Sequence, residues 1–194
     1  MSEKKDLDWR SIGFEVAAIV FAVLLALWLE GWRNDVELAD RAATHLDRIR
    51  AEVQQNRESL VNAIAEHEAY MTGLGEALET GDLDIQKVGP FLQIEGGATS
   101  DAAWRSAQLS QSIAAMMPLE TLNRLSALYE TQGYYTDYLN YFFQDYVNLI
   151  TEIEAGDEAP KYVQKFRRHL SVTNSLAEQL LNRYDTFLGN GEGE

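Results

Sequence analysis

Apolar residues along the chain fall first in one block and afterwards in helical stripes. Residues 12–29 hold one charged side chain, Glu15, among Ile, Val, Leu, Ala, Phe and Trp. A helix rises about 1.5 Å per residue and a bilayer core is roughly 30 Å thick, so about 20 mostly apolar residues span it. Continuing through Gly31 supplies that length. The pattern predicts a single transmembrane helix over residues 12–31, with residues 1–11 as a short tail on one side and a hydrophilic domain on the other.

From Asn34 to Met71 there is neither Pro nor Gly. Ala39, Leu46, Val53, Leu60, His67 and Leu74 repeat at seven, and Ala42, Ile49, Asn56, Ala63, Tyr70 and Ala77 occupy the other seam position. Ile64, Met71 and Leu78 widen the stripe after Leu60. A narrow stripe meets one neighbour and a wide one sits in a bundle. The helix is therefore expected to leave the membrane directly from the anchor and enter a bundle, with Gly73, Gly75 and Gly81 loosening and ending it.

Residues 80–100 are the least regular, with Gly81, Gly89, Pro90, Gly96 and Gly97 and room for one helical turn at 84–88. Ser100 or Asp101 is placed to cap a helix running through Trp104 to about residue 115. Pro118 suits the first turn of the next helix, with Glu120 in its acidic N-terminal turn. That helix carries the seam Leu122, Leu125, Tyr129, Leu139, Phe143, Tyr146, Ile150 and Ile153. Gln132, Gly133 and Thr136 interrupt it as a candidate kink. Residues 154–160 read as a turn. A last helix carries Tyr162, Phe166, Leu170, Leu176, Leu180, Tyr184 and Phe187 and ends at Gly189. The class is all-α: the anchor continues into an antiparallel bundle of three long helices plus one short one over residues 34–188, with residues 189–194 disordered.

Charge narrows the partners. From Arg33 onward the chain has 13 Lys and Arg against 26 Asp and Glu, a net of −13. That field repels phosphate backbones and argues against nucleic acid. With no cysteine, thiol catalysis, disulfides and cysteine zinc sites are excluded.

The anchor has its own pattern. Trp9 precedes it and Trp28 and Trp32 close it, as interfacial belts do. Lys4, Lys5 and Arg10 on one side and Arg33, Arg41, Arg48 and Arg50 on the other leave orientation undecided by charge. A cleaved signal would need a small-x-small site, which Leu-Trp-Leu-Glu-Gly-Trp does not offer. A buried soluble helix is the other competitor, since only residues 16–29 are free of charge altogether. At 100° per residue Glu15, Ala18, Ala22, Ala26 and Leu29 fall within roughly 80°. Alanines four apart let a second helix approach closely, and a carboxyl group one turn inside a bilayer needs a partner, a headgroup or water.

The apolar run, the segment from Ala26 to Asn34 and the charged helix LDRIRAEVQQN together resemble an uncharacterised bacterial family of small single-pass membrane proteins. In that family the span ends in a Trp-Asn-x-x-Arg-like segment. Ala103-Trp104, followed by Tyr129-Glu130, is a second similarity. Here Arg33 stands between Trp32 and Asn34, a departure from the family pattern. The resemblance implies a bacterial inner-membrane anchor with a cytoplasmic N-terminus and an extracytoplasmic domain. It implies no activity.

Catalytic signals are sparse. His45 and His169 lack metal-ligand spacing, and His67 on the seam reads as a half-buried bundle residue. Gly96-Gly97 reads as a turn and not a phosphate cradle. No cofactor is expected and the chain does not read as an enzyme. Two features remain. The aromatics from Tyr134 to Tyr146 cover an arc of about 200°, where a core stripe needs little over 100°. Within it Tyr134, Tyr138 and Tyr141 form one edge, a candidate interface. Lys161, Lys165, Arg167 and Arg168 make a candidate basic patch, otherwise expected to pair with acidic neighbours. The resulting expectation is a non-enzymatic accessory or scaffolding subunit. It would bind another membrane or envelope protein, or a second copy of itself. The alternative is a ligand-sensing helical ectodomain acting through a partner.

Overall fold

The computed structural model describes residues 9–189, and all regular structure among them is helical. Most of the expected N-terminal tail (residues 1–8) and of the C-terminal one (190–194) lies outside the described residues. Helix α1 runs unbroken from Trp9–Thr80, 72 residues or about 110 Å. Its residues 14–37 are exposed on all sides. From Ala42 on, one stripe is buried: Ala42, Ile49, Val53, Asn56, Leu60, Ala63, His67 and Leu74. The seven-residue repeat thus marks the face that meets the rest of the chain.

Two glycines expected to loosen α1 do something else. A Cβ on Gly73 would sit 2.6 Å from the Phe91 ring, and one on Gly75 3.2 Å from the Arg167 guanidinium. They make room for neighbours, and the helix passes through both. It stops at Gly81, whose φ of 71° is left-handed.

The chain then returns toward its start. Helix α2 (Ile85–Val88) is capped by the Asp84 carboxylate, which accepts from Gln86 N–H at 2.9 Å. A 3-10 turn follows at Gly89–Phe91. Residues 92–101 form an extended strap, and two short helices complete the return, α3 (Ala102–Gln108) and α4 (Gln111–Met116). A single helix was expected there. One straight helix would set Ile113 and Met117 roughly 140–180° away from Trp104. The break at Leu109–Ser110 lets Trp104, Ala107, Ile113 and Met117 all enter one core cluster.

Helix α5 (Leu119–Ala155) starts after Pro118, which is its N-cap and not its first turn. Helix α6 (Ala159–Gly189) lies antiparallel to both other long helices. It meets α1 through Arg57–Asp185 and His67–Asn174, and α5 through Asp145–Lys165 and Tyr138–His169. Glu52–Tyr129 and Asn56–Gln132 show α5 parallel to α1. The expected kink at Gln132, Gly133 and Thr136 is not a helix break: α5 runs through, and Gln132 is buried in a polar network. Phe143 is a second correction. It is 51% exposed, while its neighbour Phe142 is fully buried, because Tyr135, Phe142, Leu149 and Ile153 form the inward stripe.

Candidate functional site

Buried polar residues hold the strap, and through it the bundle. An extended segment cannot satisfy its own N–H and C=O groups, so side chains must. Asn56 does this twice: its Nδ2 donates to Ser100 O at 2.7 Å and its Oδ1 accepts from Ser100 N–H at 2.8 Å. Gln132 adds a bond to Ser100 O at 3.2 Å and accepts from the Tyr184 hydroxyl at 2.8 Å. Ser59 accepts from Ala98 N–H, while the Tyr135 and Tyr146 hydroxyls donate to Gly96 O and Leu92 O. Burial pushes the hydroxyls of Tyr135 and Tyr184 up, so they remain donors.

Glu52 caps α3 from another helix. Its carboxylate accepts from Ser100 Oγ at 2.7 Å, from Ala103 N–H at 3.0 Å and from the Tyr129 hydroxyl at 2.8 Å. A carboxylate at a helix N-terminus is stabilised by the free N–H groups there. The Asp101 side chain, a candidate cap, pairs with Arg105 instead, and no side-chain cap bond forms at Asp101. Tyr129 also stacks on Trp104, the centroids 5.6 Å apart and the planes 2° off parallel.

His67 is fully buried, not half-buried. Glu95 N–H donates to its Nε2 at 3.2 Å, which leaves Nδ1 to donate to Asn174 Oδ1 at 2.7 Å. The ring is thereby fixed neutral in one tautomer. Burial holds its pKa below the ordinary histidine value, outweighing the Asn174 hydrogen bond and the nearby Glu95 and Glu66 charges. Sequence reasoning missed this network. The signal available was polar Asn56 and His67 at positions of the seam where apolar residues belong.

The tyrosine edge lies on the surface of α5. Tyr134 and Tyr141 are exposed and Tyr138 is half-buried. Tyr138 closes a chain of polar contacts: its hydroxyl meets His169 Nδ1 at 3.0 Å, and His169 Nε2 lies 3.3 Å from Asp145 Oδ2. Lys165 Nζ approaches the same oxygen at 2.5 Å. Neither contact at Asp145 Oδ2 has hydrogen-bond alignment, so the pairing with Lys165 is ionic. Burial lowers the His169 pKa more than Asp145 raises it, while Lys165 lowers that of Asp145. His169 is therefore neutral at pH 7 and accepts from Tyr138. Phe142 stacks under the imidazole at 4.6 Å, and Tyr138 and Tyr141 flank it at 6.0 and 5.7 Å. The Tyr138 hydroxyl is pushed up by burial, which makes it a poor nucleophile. The arrangement does not activate an oxygen. It fixes an aromatic surface.

Three of the four cations of the candidate patch have partners within the chain. Lys161 pairs with Glu158 and lies over the Tyr162 ring, and Lys165 pairs with Asp145. Arg167 donates to Met71 O at 3.1 Å, leaving Arg168 exposed. Glu15, Ala18, Ala22 and Ala26 are exposed on the apolar part of α1, the one helix among the described residues long and apolar enough to cross a membrane. None of its most apolar 18-residue window is buried. Comparison with family models, curated proteins and solved structures gives no match.

Proposed function

We propose that the chain is a single-pass membrane protein. Its helical bundle engages another membrane or envelope protein, as an accessory or scaffolding subunit without chemistry of its own. The observation that carries this reading is α1 itself. Its apolar half is exposed on every side, and it runs without a break into the half that forms one wall of the bundle. An exposed apolar surface of that size is intolerable in water and needs lipid or protein around it. The resemblance to the bacterial single-pass family supports a cytoplasmic N-terminus and an extracytoplasmic bundle.

The docking surface is the edge formed by Tyr134, Tyr138 and Tyr141. Tyrosine offers large contact area at low entropy cost, and the part-buried Tyr138–His169 hydrogen bond fixes the middle of this edge before any partner arrives. Replacing both Tyr134 and Tyr141 by alanine tests the reading in the full chain. Each change is expected to cost no more than about 0.5 kcal/mol of stability, as surface substitutions do. Protein co-purifying in mild detergent is expected to be lost. Undiminished co-purification would refute the surface.

A ligand-sensing ectodomain is the second reading, favoured by one feature. A groove of about 350 Å³ opens between the start of α5 and the end of α6, lined by Glu120, Arg124, Leu128, Arg183 and Phe187. That volume lies at the small end of ligand sites. Thermal stabilisation by a small molecule, lost in Arg183→Ala, would favour it over the scaffold.

A further inference from the structure

Residues 106–119 carry no charged side chain, in a chain where 24% of residues are charged. Three large apolar side chains in or beside α4 stand in the open: Leu109 is 88% exposed, Leu119 73% and Met116 40%. Between them Ile113 and Met117 turn inward, into the same cluster as Ala42 and Ile49. This segment therefore closes the end of the bundle from which the apolar half of α1 emerges. The parallel run of α5 agrees. Tyr129 is level with Glu52, so Leu119, ten residues earlier, stands level with the Ala42 region of α1.

We propose that this uncharged end is a lipid-contacting foot. In it Leu109, Met116 and Leu119 rest on the headgroup layer of the bilayer that α1 crosses. The inference rests on the single-pass reading and goes beyond it, because an anchor alone would leave the bundle free to stand in water. Distance decides whether contact is feasible. From Trp32 to Ala42 is about 15 Å of helix, and the headgroup layer extends about 5–7 Å beyond the hydrocarbon. An upright α1 would hold the foot roughly 8–10 Å clear of the headgroups. Transmembrane helices tilt by about 20° on average and by up to about 40°. With α5 about 8–10 Å to the side, a tilt of about 30° toward α5 lowers Leu119 to about 8–9 Å from the hydrocarbon, within side-chain reach of the headgroups.

Charge fits the same occupant. The acidic domain would be repelled by anionic lipid, yet residues 106–119 carry none of that charge. Glu37 and Glu120 beside it are paired with Arg41 and Arg124, while Asp35 and Asp40 of α1 stay exposed. Leucine and methionine on an uncharged segment suit an interface that is half apolar.

The chain has no cysteine, so single cysteines report cleanly. The full chain is reconstituted in phosphatidylcholine vesicles with a spin label at Leu109→Cys, Leu119→Cys, Leu24→Cys or Val147→Cys. Leu24 reports the anchor, and Val147 an exposed site at the far end of α5. Oxygen, which concentrates in lipid, and a water-soluble nickel chelate then compete to relax the label. The foot is expected to give an oxygen-to-nickel ratio several-fold above Val147 at both leucine sites. A ratio at Leu119 equal to that at Val147, with Leu24 in lipid, overturns the foot and leaves the anchor standing. A water-exposed Leu24 overturns both. Shielding of Leu119 from both reagents, with spin–spin broadening that grows with protein density, identifies a second copy as the occupant and overturns the lipid assignment.

Discussion

Asn56→Asp isolates the clasp on the strap, because the two side chains have the same shape and differ in one donor. Oδ1 can still accept from Ser100 N–H at 2.8 Å. The atom replacing Nδ2 would face Ser100 O at 2.7 Å and Gln132 Oε1 at 3.5 Å, both acceptors. The position is 2% exposed, so water cannot intervene. The introduced carboxyl group must therefore be buried charged or take up a proton, and a protonated acid restores the missing donor. Burial beside acceptors raises a carboxyl pKa by about two units or more, each worth about 1.4 kcal/mol. The folded variant then binds a proton that its unfolded form, with a pKa near 3.9, releases. Its stability deficit is expected to be about 1.5 kcal/mol near pH 5 and about 3 kcal/mol or more at pH 8. Urea unfolding of the detergent-solubilised chain, followed by circular dichroism, measures variant against parent at each pH. A deficit below about 1 kcal/mol at pH 8, or one that does not grow with pH, would refute the role given to Asn56.

Two further outcomes follow from the same packing. His67 has a folded pKa below its unfolded value near 6.5, so its contribution is intact above that value and is lost as pH falls through it toward the folded pKa. The urea midpoint is expected to drop between pH 7.5 and 5.5. His169 adds a loss of the same sign, and His67→Gln should shrink the drop; an equal drop in parent and variant would contradict the assignment. Gly97 has φ 52° and sits against the Leu60 backbone, where a Cβ would lie 3.4 Å from Cα. Gly97→Ala should cost about 1–2 kcal/mol. Gly133→Ala, inside α5 with open space around it, should be neutral or stabilising by up to about 1 kcal/mol. Equal effects on the urea midpoint would contradict the close approach of the strap.

The all-helical class and the inward stripe of α1 were legible because both rest on periodicity. Ile49, Val53, Leu60 and Leu74 repeat, and repetition survives without knowing the partner. What was not legible depends on residues far apart in the chain. Gly73 and Gly75 look like helix breakers until Phe91 and Arg167 are known to fill the space beside them. Phe142 and Phe143 are adjacent, and only the register against Phe166 and His169 tells which one turns inward. The strap has no period at all. Its order comes from Asn56, Ser59, His67, Gln132, Tyr135 and Tyr146, contributed by two helices. On the candidate surface, the tyrosine edge followed from the width of the aromatic arc. Its support by His169 and Asp145 did not, because a lone histidine among cations gives no sign of a half-buried carboxylate on the neighbouring helix.

The central claim is that the exposed apolar half of α1 lies in a bilayer. Alkaline carbonate washing of membranes from cells producing the full chain tests it most directly, since the treatment strips peripheral proteins and leaves embedded helices in place. The account expects the whole chain to remain in the membrane pellet, and a version beginning at Asn34 to be found in the soluble fraction. Release of the full-length chain into the supernatant would contradict it.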